Sequence, residues 1–191
     1  MEFWKSELSL ILKEITSCSV IQNGFNDHGR ELQKDAISVI LPANGKGDEL
    51  FAIATRYLHQ IRGSIPANFV AYIGTTQWIT SKVSEGIEIA IGPGVSQFDI
   101  IRLANTSAPN YDLQTEDLIR PLIQFDTEYG IDVIHAEADS LSFELAHPPS
   151  DTKRFAKELF QYCEDLSQGD LNEDELAEVL KHEKLVRLWW D

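Results

Sequence analysis

The densest group of side chains able to do chemistry is His135-Ala136-Glu137-Ala138-Asp139. If a strand runs through it, alternation puts His135, Glu137 and Asp139 on one face and the two alanines on the other. An imidazole and two carboxylates sharing a face can hold a hard-to-borderline divalent cation, supporting metal-assisted hydrolysis, or act as an acid/base group; Asp112 is a candidate fourth group. The same spacing is also that of a solvated strand face next to a turn. The His-x-Glu pair belongs to the zinc deaminase signature as well, but the Pro-Cys-x-x-Cys that completes it is absent. His28, His59, His147 and His182 are scattered singly along the chain.

Other chemistries find less support. No Gly-x-Ser-x-Gly elbow is present, which removes the α/β-hydrolase route to a nucleophilic serine. Cys163 follows Tyr162 and precedes Glu164-Asp165, and nearby negative charge raises a thiol pKa, so an inert thiol is expected. The other cysteine, Cys18, is distant in sequence; a bridge is geometrically open, but two ordinary thiols are the expectation in a reducing compartment. Gly92-Pro93-Gly94 follows a strand candidate, yet a phosphate-binding turn must open a helix. Phe98 to Leu103 reads as another strand, which makes the glycine turn a hairpin connection. Gly45 and Gly47 do precede a helix, but the Lys-Ser/Thr pair is missing and Asp48 at the cap would repel an anion. No catalytic residue is assigned in the leading reading, and no cofactor is expected.

Charge is more informative. The chain of 191 residues carries 31 acidic against 16 basic side chains, a formal charge of −15. That opposes attraction to nucleic acid phosphates and anionic membranes and favours a basic protein partner. Between Arg102 and Lys153 the only basic side chain is Arg120, among ten acids from Asp112 to Asp151. A second block from Glu164 to Glu178 contains no base. The start, Met1-Glu2-Phe3-Trp4-Lys5, lacks the pattern of an export signal, and no apolar run is long enough to span a membrane, so a cytoplasmic protein is expected.

The elements that must position these groups follow from periodicity. Trp4, Leu8, Ile11, Leu12 and Ile15 mark an amphipathic helix. Turn signals at Asn23-Gly24 and Asn26-Asp27 separate it from a strand over Ala36 to Leu41 that Pro42 closes. Leu50 to Ile61 form a second helix, with Asp48 placed to cap it and Gly63 to end it. Strands are predicted at Phe69 to Ile73, Gly86 to Ile91 and Phe98 to Leu103. A helix opens at Thr115-Glu116-Asp117 and ends at Gly130, and strands follow at Ile131 to Ala136 and Leu141 to Leu145. Ser150 or Asp151 caps the next helix, and Asn172-Glu173-Asp174-Glu175 has the spacing of a reciprocal capping box. The run from Leu185 to Trp190 is too apolar for a tail and reads as a strand with Trp189 and Trp190 on opposite sides. The fold class is α+β, one domain over residues 1–191 with a mainly antiparallel sheet, helices on one or both faces, and a C-terminal strand ending in Trp-Trp-Asp.

Phe98-Asp99-Ile100-Ile101-Arg102-Leu103-Ala104, Asn110-Tyr111-Asp112, Thr115-Glu116-Asp117, Tyr129-Gly130-Ile131-Asp132 and the terminal Leu188-Trp189-Trp190-Asp191 resemble the bacterial proteins grouped as domain of unknown function 4253 (DUF4253). The likeness covers roughly residues 86–191, and residues 1–85 extend the same fold. The family's Cys-Pro-Asp and Gln-Gly segments stand here as Cys163-Glu164-Asp165 and Gln168-Gly169, with Glu164 in place of the proline. The resemblance implies a candidate surface or cleft made of Asn110, Tyr111, Asp112, Asp165, Gln168, Trp190 and Asp191, with Cys163, Gly169 and Trp189 beside them. These residues can equally support the fold, Asn110 and Asp112 through an Asx-type turn. The leading functional expectation is a non-enzymatic protein-binding module, immunity-type in its specific form, that neutralises a basic toxin or nuclease. The alternative is a metal-assisted hydrolase using His135, Glu137 and Asp139.

Overall fold

A computed structural model describes residues 3–21, 35–42, 47–76, 86–168 and 172–190. The turn signals at 23–29, the glycine turn at 44–46, His28, Gly169 and Asp191 lie outside the described residues, as does the side chain of Gln168. The elements in chain order are α1 (Phe3–Thr16), β1 (Val20–Ile21), β2 (Ile37–Pro42), α2 (Gly47–Arg62), β3 (Phe69–Ile73), β4 (Gly86–Pro93), α3 (Phe98–Ala104), α4 (Thr115–Tyr129), β5 (Ile131–Ala136), β6 (Ser140–Leu145), α5 (Thr152–Tyr162), α6 (Glu173–Val179) and β7 (Leu185–Trp189). Two 3-10 turns, Pro109–Tyr111 and Glu164–Gln168, precede α4 and α6. No helix among the described residues is long and apolar enough to cross a membrane.

The strands form one sheet in the order β1-β2-β4-β3-β5-β6-β7. Every neighbouring pair is antiparallel except β3 and β5, which touch in parallel at the single pair Ile73 and His135. The class is therefore α+β, with helices on both faces. Apolar residues of α1 and α2 (Leu8, Leu12, Ala54, Leu58, Ile61) pack on Ile37, Val39, Ile89 and Ile91. On the other face, residues of α3 to α6 (Ile101, Leu118, Phe155, Ala177) pack on Tyr72, Val133, Phe143 and Leu188. Cys163 belongs to the second layer and Cys18 borders the first, so the sheet separates the two thiols and both are free.

Side chains close the gap where β3 and β5 diverge. The Arg62 guanidinium donates to the Ala71 carbonyl at 2.9 Å, to Asp132 Oδ1 at 2.7 Å and to the Val133 carbonyl at 2.5 Å. Gln97 donates from Nε2 to the Ile131 carbonyl at 3.0 Å and accepts the Val133 N–H on Oε1 at 2.8 Å. A strand edge carries obligatory donors and acceptors, and these two residues satisfy the ones that β3 does not reach.

Helix ends follow the capping expectations closely. Asp151 accepts the Arg154 N–H at 3.0 Å, and Asn172 and Glu175 bond each other's backbone reciprocally. Gly130 ends α4 at φ +65, a value that favours glycine. Asp48 falls inside the first turn of α2, which starts at Gly47, and its carboxylate meets Arg187 at 3.0 Å.

The segment from Phe98 to Leu103 is a helix, not the expected strand, and the Gly92-Pro93-Gly94 turn therefore joins a strand to a helix and not a hairpin. The adjacent β-branched Ile100 and Ile101 suggested β structure, but Phe98, Ile101 and Leu103 with Ala104 also fit a helical face, and tertiary packing decided the outcome. The phosphate reading gains nothing from this correction. Asp99 accepts the N–H groups of Val95 and Ser96 at 2.9 and 3.0 Å, so a carboxylate already occupies the anion position. At the C-terminus, β7 spans Leu185–Trp189, so of the expected Trp-Trp-Asp ending only Trp189 lies within the strand, and Asp191 is outside the described residues.

Candidate functional site

The sheet brings His135 and Glu137 together but not Asp139. A bulge between Val133 and His135 turns the imidazole toward α2, and β5 ends at Ala136. The Glu137 N–H then donates to the Ser140 carbonyl at 2.8 Å, closing a tight turn with Asp139 exposed at its tip. His135 Nε2 lies 3.0 Å from Glu137 Oε1, and Nδ1 lies 3.1 Å from the Ser142 hydroxyl. The imidazole thus links the Ser142 hydroxyl to the Glu137 carboxylate in one chain of polar contacts. Thr76 adds its N–H and hydroxyl to the same Glu137 oxygen at 3.0 and 2.7 Å. Burial pushes the Glu137 pKa up, and the bonds from His135 and Thr76 outweigh it and hold the carboxyl below its ordinary value.

The connectivity serine, histidine, carboxylate is that of an activated nucleophile. Here all three members are buried, with Ser142 only 3% exposed, and the Phe51 ring stands edge-on to the imidazole at 5.9 Å. A nucleophile must be reached by its substrate, so in this arrangement the chain of bonds orders the β5–β6 end of the sheet. Among the described residues, no group of three His, Cys, Asp or Glu could hold a metal ion. Ser142 was not singled out from sequence; its cross-strand pairing with His135 is a matter of register, which the alternation of β6 alone does not reveal.

The residues suggested by the resemblance gather only in part. The Tyr111 hydroxyl donates to Asp165 Oδ1 at 2.5 Å, joining the two 3-10 turns; that bond pushes the tyrosine pKa up to about 12. Asp165 is buried, whereas Asn110 and Asp112 stay exposed, Asp112 with φ +55 at the end of its turn. Trp190 is buried against Tyr162, ring centroids 5.5 Å apart. Cys163 donates its thiol to the Trp189 carbonyl at 2.9 Å, and burial pushes its pKa up.

A larger concavity lies nearby at the outer edge of β7. It has a volume of about 640 Å³ and is walled by Leu159 and Phe160 of α5, Leu166, and Leu176, Val179 and Leu180 of α6 and its end. Leu185, Val186, Arg187 and Trp189 of β7 complete its lining together with Glu183 and Asp48, the latter paired with Arg187. Val179 and Trp189, 37% and 39% exposed, lie together on this one concavity. None of Asn110, Tyr111, Asp112, Asp165 or Trp190 lines it. The sequence contained one signal for it, the alternation in which Trp189 must face away from the buried Trp190. The helix side of the cavity came from α5 and α6 packing together across a connection that carries no motif.

The profile of a family described as "Domain of unknown function (DUF4253)" matches residues 88–191, more than half of the chain. No curated protein and no solved structure matches.

Proposed function

We propose that this chain, which belongs to the DUF4253 family, is a non-enzymatic protein-binding module that meets a basic partner at the cavity beside β7. The observation that carries the reading is a mainly apolar cavity of about 640 Å³, lined by the exposed Val179 and Trp189, whose charged lining consists of Glu183 and the Asp48–Arg187 ion pair. An apolar centre bordered by charged groups is the usual anatomy of a protein interface. The excess of acids over the whole chain, a formal −15, speeds encounter with a cationic partner and gives orientation more than affinity. An immunity-type role, neutralising a basic toxin or nuclease in the cytoplasm, is the specific form we favour.

A photo-crosslinking residue placed at Val179, compared with one at the exposed Ile123 of α4, tests this in cells. The expected result is an adduct with a basic protein at position 179 only, reduced by high salt and by the charge reversals Asp48→Lys and Glu183→Lys. Equal labelling at both positions, or an adduct indifferent to salt and to charge reversal, overturns the reading.

A further inference from the structure

We infer that the partner contributes an extended segment that pairs with β7 as an eighth strand and seats an apolar side chain in the cavity; this rests on the binding reading above. The backbone of β7 supports it. The Lys184 carbonyl accepts from Leu145 N–H at 2.9 Å, and Trp190 N–H donates to the Asp139 carbonyl at 2.8 Å. In an antiparallel ladder, alternate residues turn both backbone groups to the same neighbour, so Lys184, Val186, Leu188 and Trp190 face β6. Leu185, Arg187 and Trp189 therefore face outward. The Trp189 carbonyl is engaged by the Cys163 thiol, which closes that end. Among the described residues, Leu185 and Arg187 have no backbone partner on this side.

The cavity is offset from this edge in the direction an added strand requires. Its walls belong to α5, α6 and the turn between them, the layer on which Val186 and Leu188 are buried. Side chains of an added strand pointing to that layer enter the cavity, and the alternate ones lie beside Leu185, Arg187 and Asp48. Strand addition supplies affinity through the main chain and specificity through such alternating pockets. The occupant is a separate basic protein and not a second copy of this chain. Two copies would each bring a charge of −15, which opposes their association. A segment alternating lysine with leucine or phenylalanine instead sets positive charge near Glu183 and the Asp48–Arg187 ion pair and apolar bulk in the cavity.

The probe is a short peptide alternating lysine with leucine, measured by fluorescence anisotropy against the whole chain. A second peptide carries the same side chains but N-methyl groups at alternate backbone positions, in both registers. Strand addition predicts that N-methylation in one register weakens binding about tenfold or more, and that the parent peptide slows exchange of the Leu185 and Arg187 amides. Arg187→Pro removes an outward N–H without touching the β6 ladder and should weaken binding similarly, while Val179→Trp fills the cavity and should also abolish it. If Val179→Trp abolishes binding but Arg187→Pro and both N-methylated registers do not, the cavity reading survives and strand addition is overturned. If neither variant affects binding, or the parent peptide does not bind, both are overturned. A native-like amide-exchange pattern elsewhere in each variant shows that it has folded.

Discussion

Arg62 and Gln97 grip Val133 from opposite sides of the sheet, the guanidinium bonding its carbonyl at 2.5 Å and the carboxamide taking its N–H at 2.8 Å. One residue comes from α2 and the other from the turn before α3, so the two helix layers are tied to each other through a single strand position. A strand edge that would otherwise be left bare between β3 and β5 is thereby satisfied.

Gln97→Ala should destabilise the chain by about 1–3 kcal/mol, the cost of leaving part-buried backbone groups unpaired. Arg62→Lys keeps the charge but loses the planar fork that reaches three acceptors, with a cost of similar order. Urea denaturation of the two single variants and the double variant checks both. Because they share Val133, the double variant is expected to depart from additivity.

Glu137 gives a pH signature. Its folded carboxyl sits below the ordinary value of 4.5, so the native state binds fewer protons than the unfolded one as pH falls from that value. The contribution is fully present above pH 4.5 and is lost as the pH falls through the lowered value. The difference in stability between the parent chain and Glu137→Gln, followed by chemical denaturation at successive pH values, should shrink below pH 4.5; a constant difference would refute the assignment.

Two glycines should respond oppositely. A Cβ on Gly86 would lie 2.0 Å from the Leu41 carbonyl oxygen, a backbone atom of the paired strand, so Gly86→Ala should cost about 3 kcal/mol. At Gly63 the nearest atom is 3.5 Å away, and Gly63→Ala should be neutral or stabilise by about 0.4–1 kcal/mol. Thermal denaturation of each variant distinguishes the cases.

The thiols differ in the same decidable way. Cys163 is buried and donates to Trp189, whereas Cys18 is half-buried on the other side of the sheet. Under native conditions a thiol reagent should label Cys18 first and Cys163 only on unfolding. Rapid native labelling of Cys163 contradicts the burial that raises its pKa.

Local sequence signals located the elements whose ends are built from adjacent residues. Asp151, the Asn172–Glu175 box and Gly130 act where the spacing put them, because capping is settled within one turn of helix. Phe98 to Leu103 failed because an apolar run of that length fits either a strand or a short helix, and packing against Tyr72 and Ala136 is not written in it. The His135–Glu137 contact followed from strand alternation, but its partner Ser142 depends on a bulge and on register. The cavity was least legible, since its walls come from residues far apart in the chain and its open edge is defined by strand order.

Strand order also bears on how the chain can be divided. The family profile begins at Glu88, inside β4, and both neighbours of that strand, β2 and β3, lie upstream of it. A fragment cut at that boundary would carry Ile89 and Ile91 with neither flanking strand nor the α1 and α2 side chains that cover them. The family profile and the folding unit therefore have different borders in this protein: the part the profile covers depends for its integrity on strands and helices upstream of it.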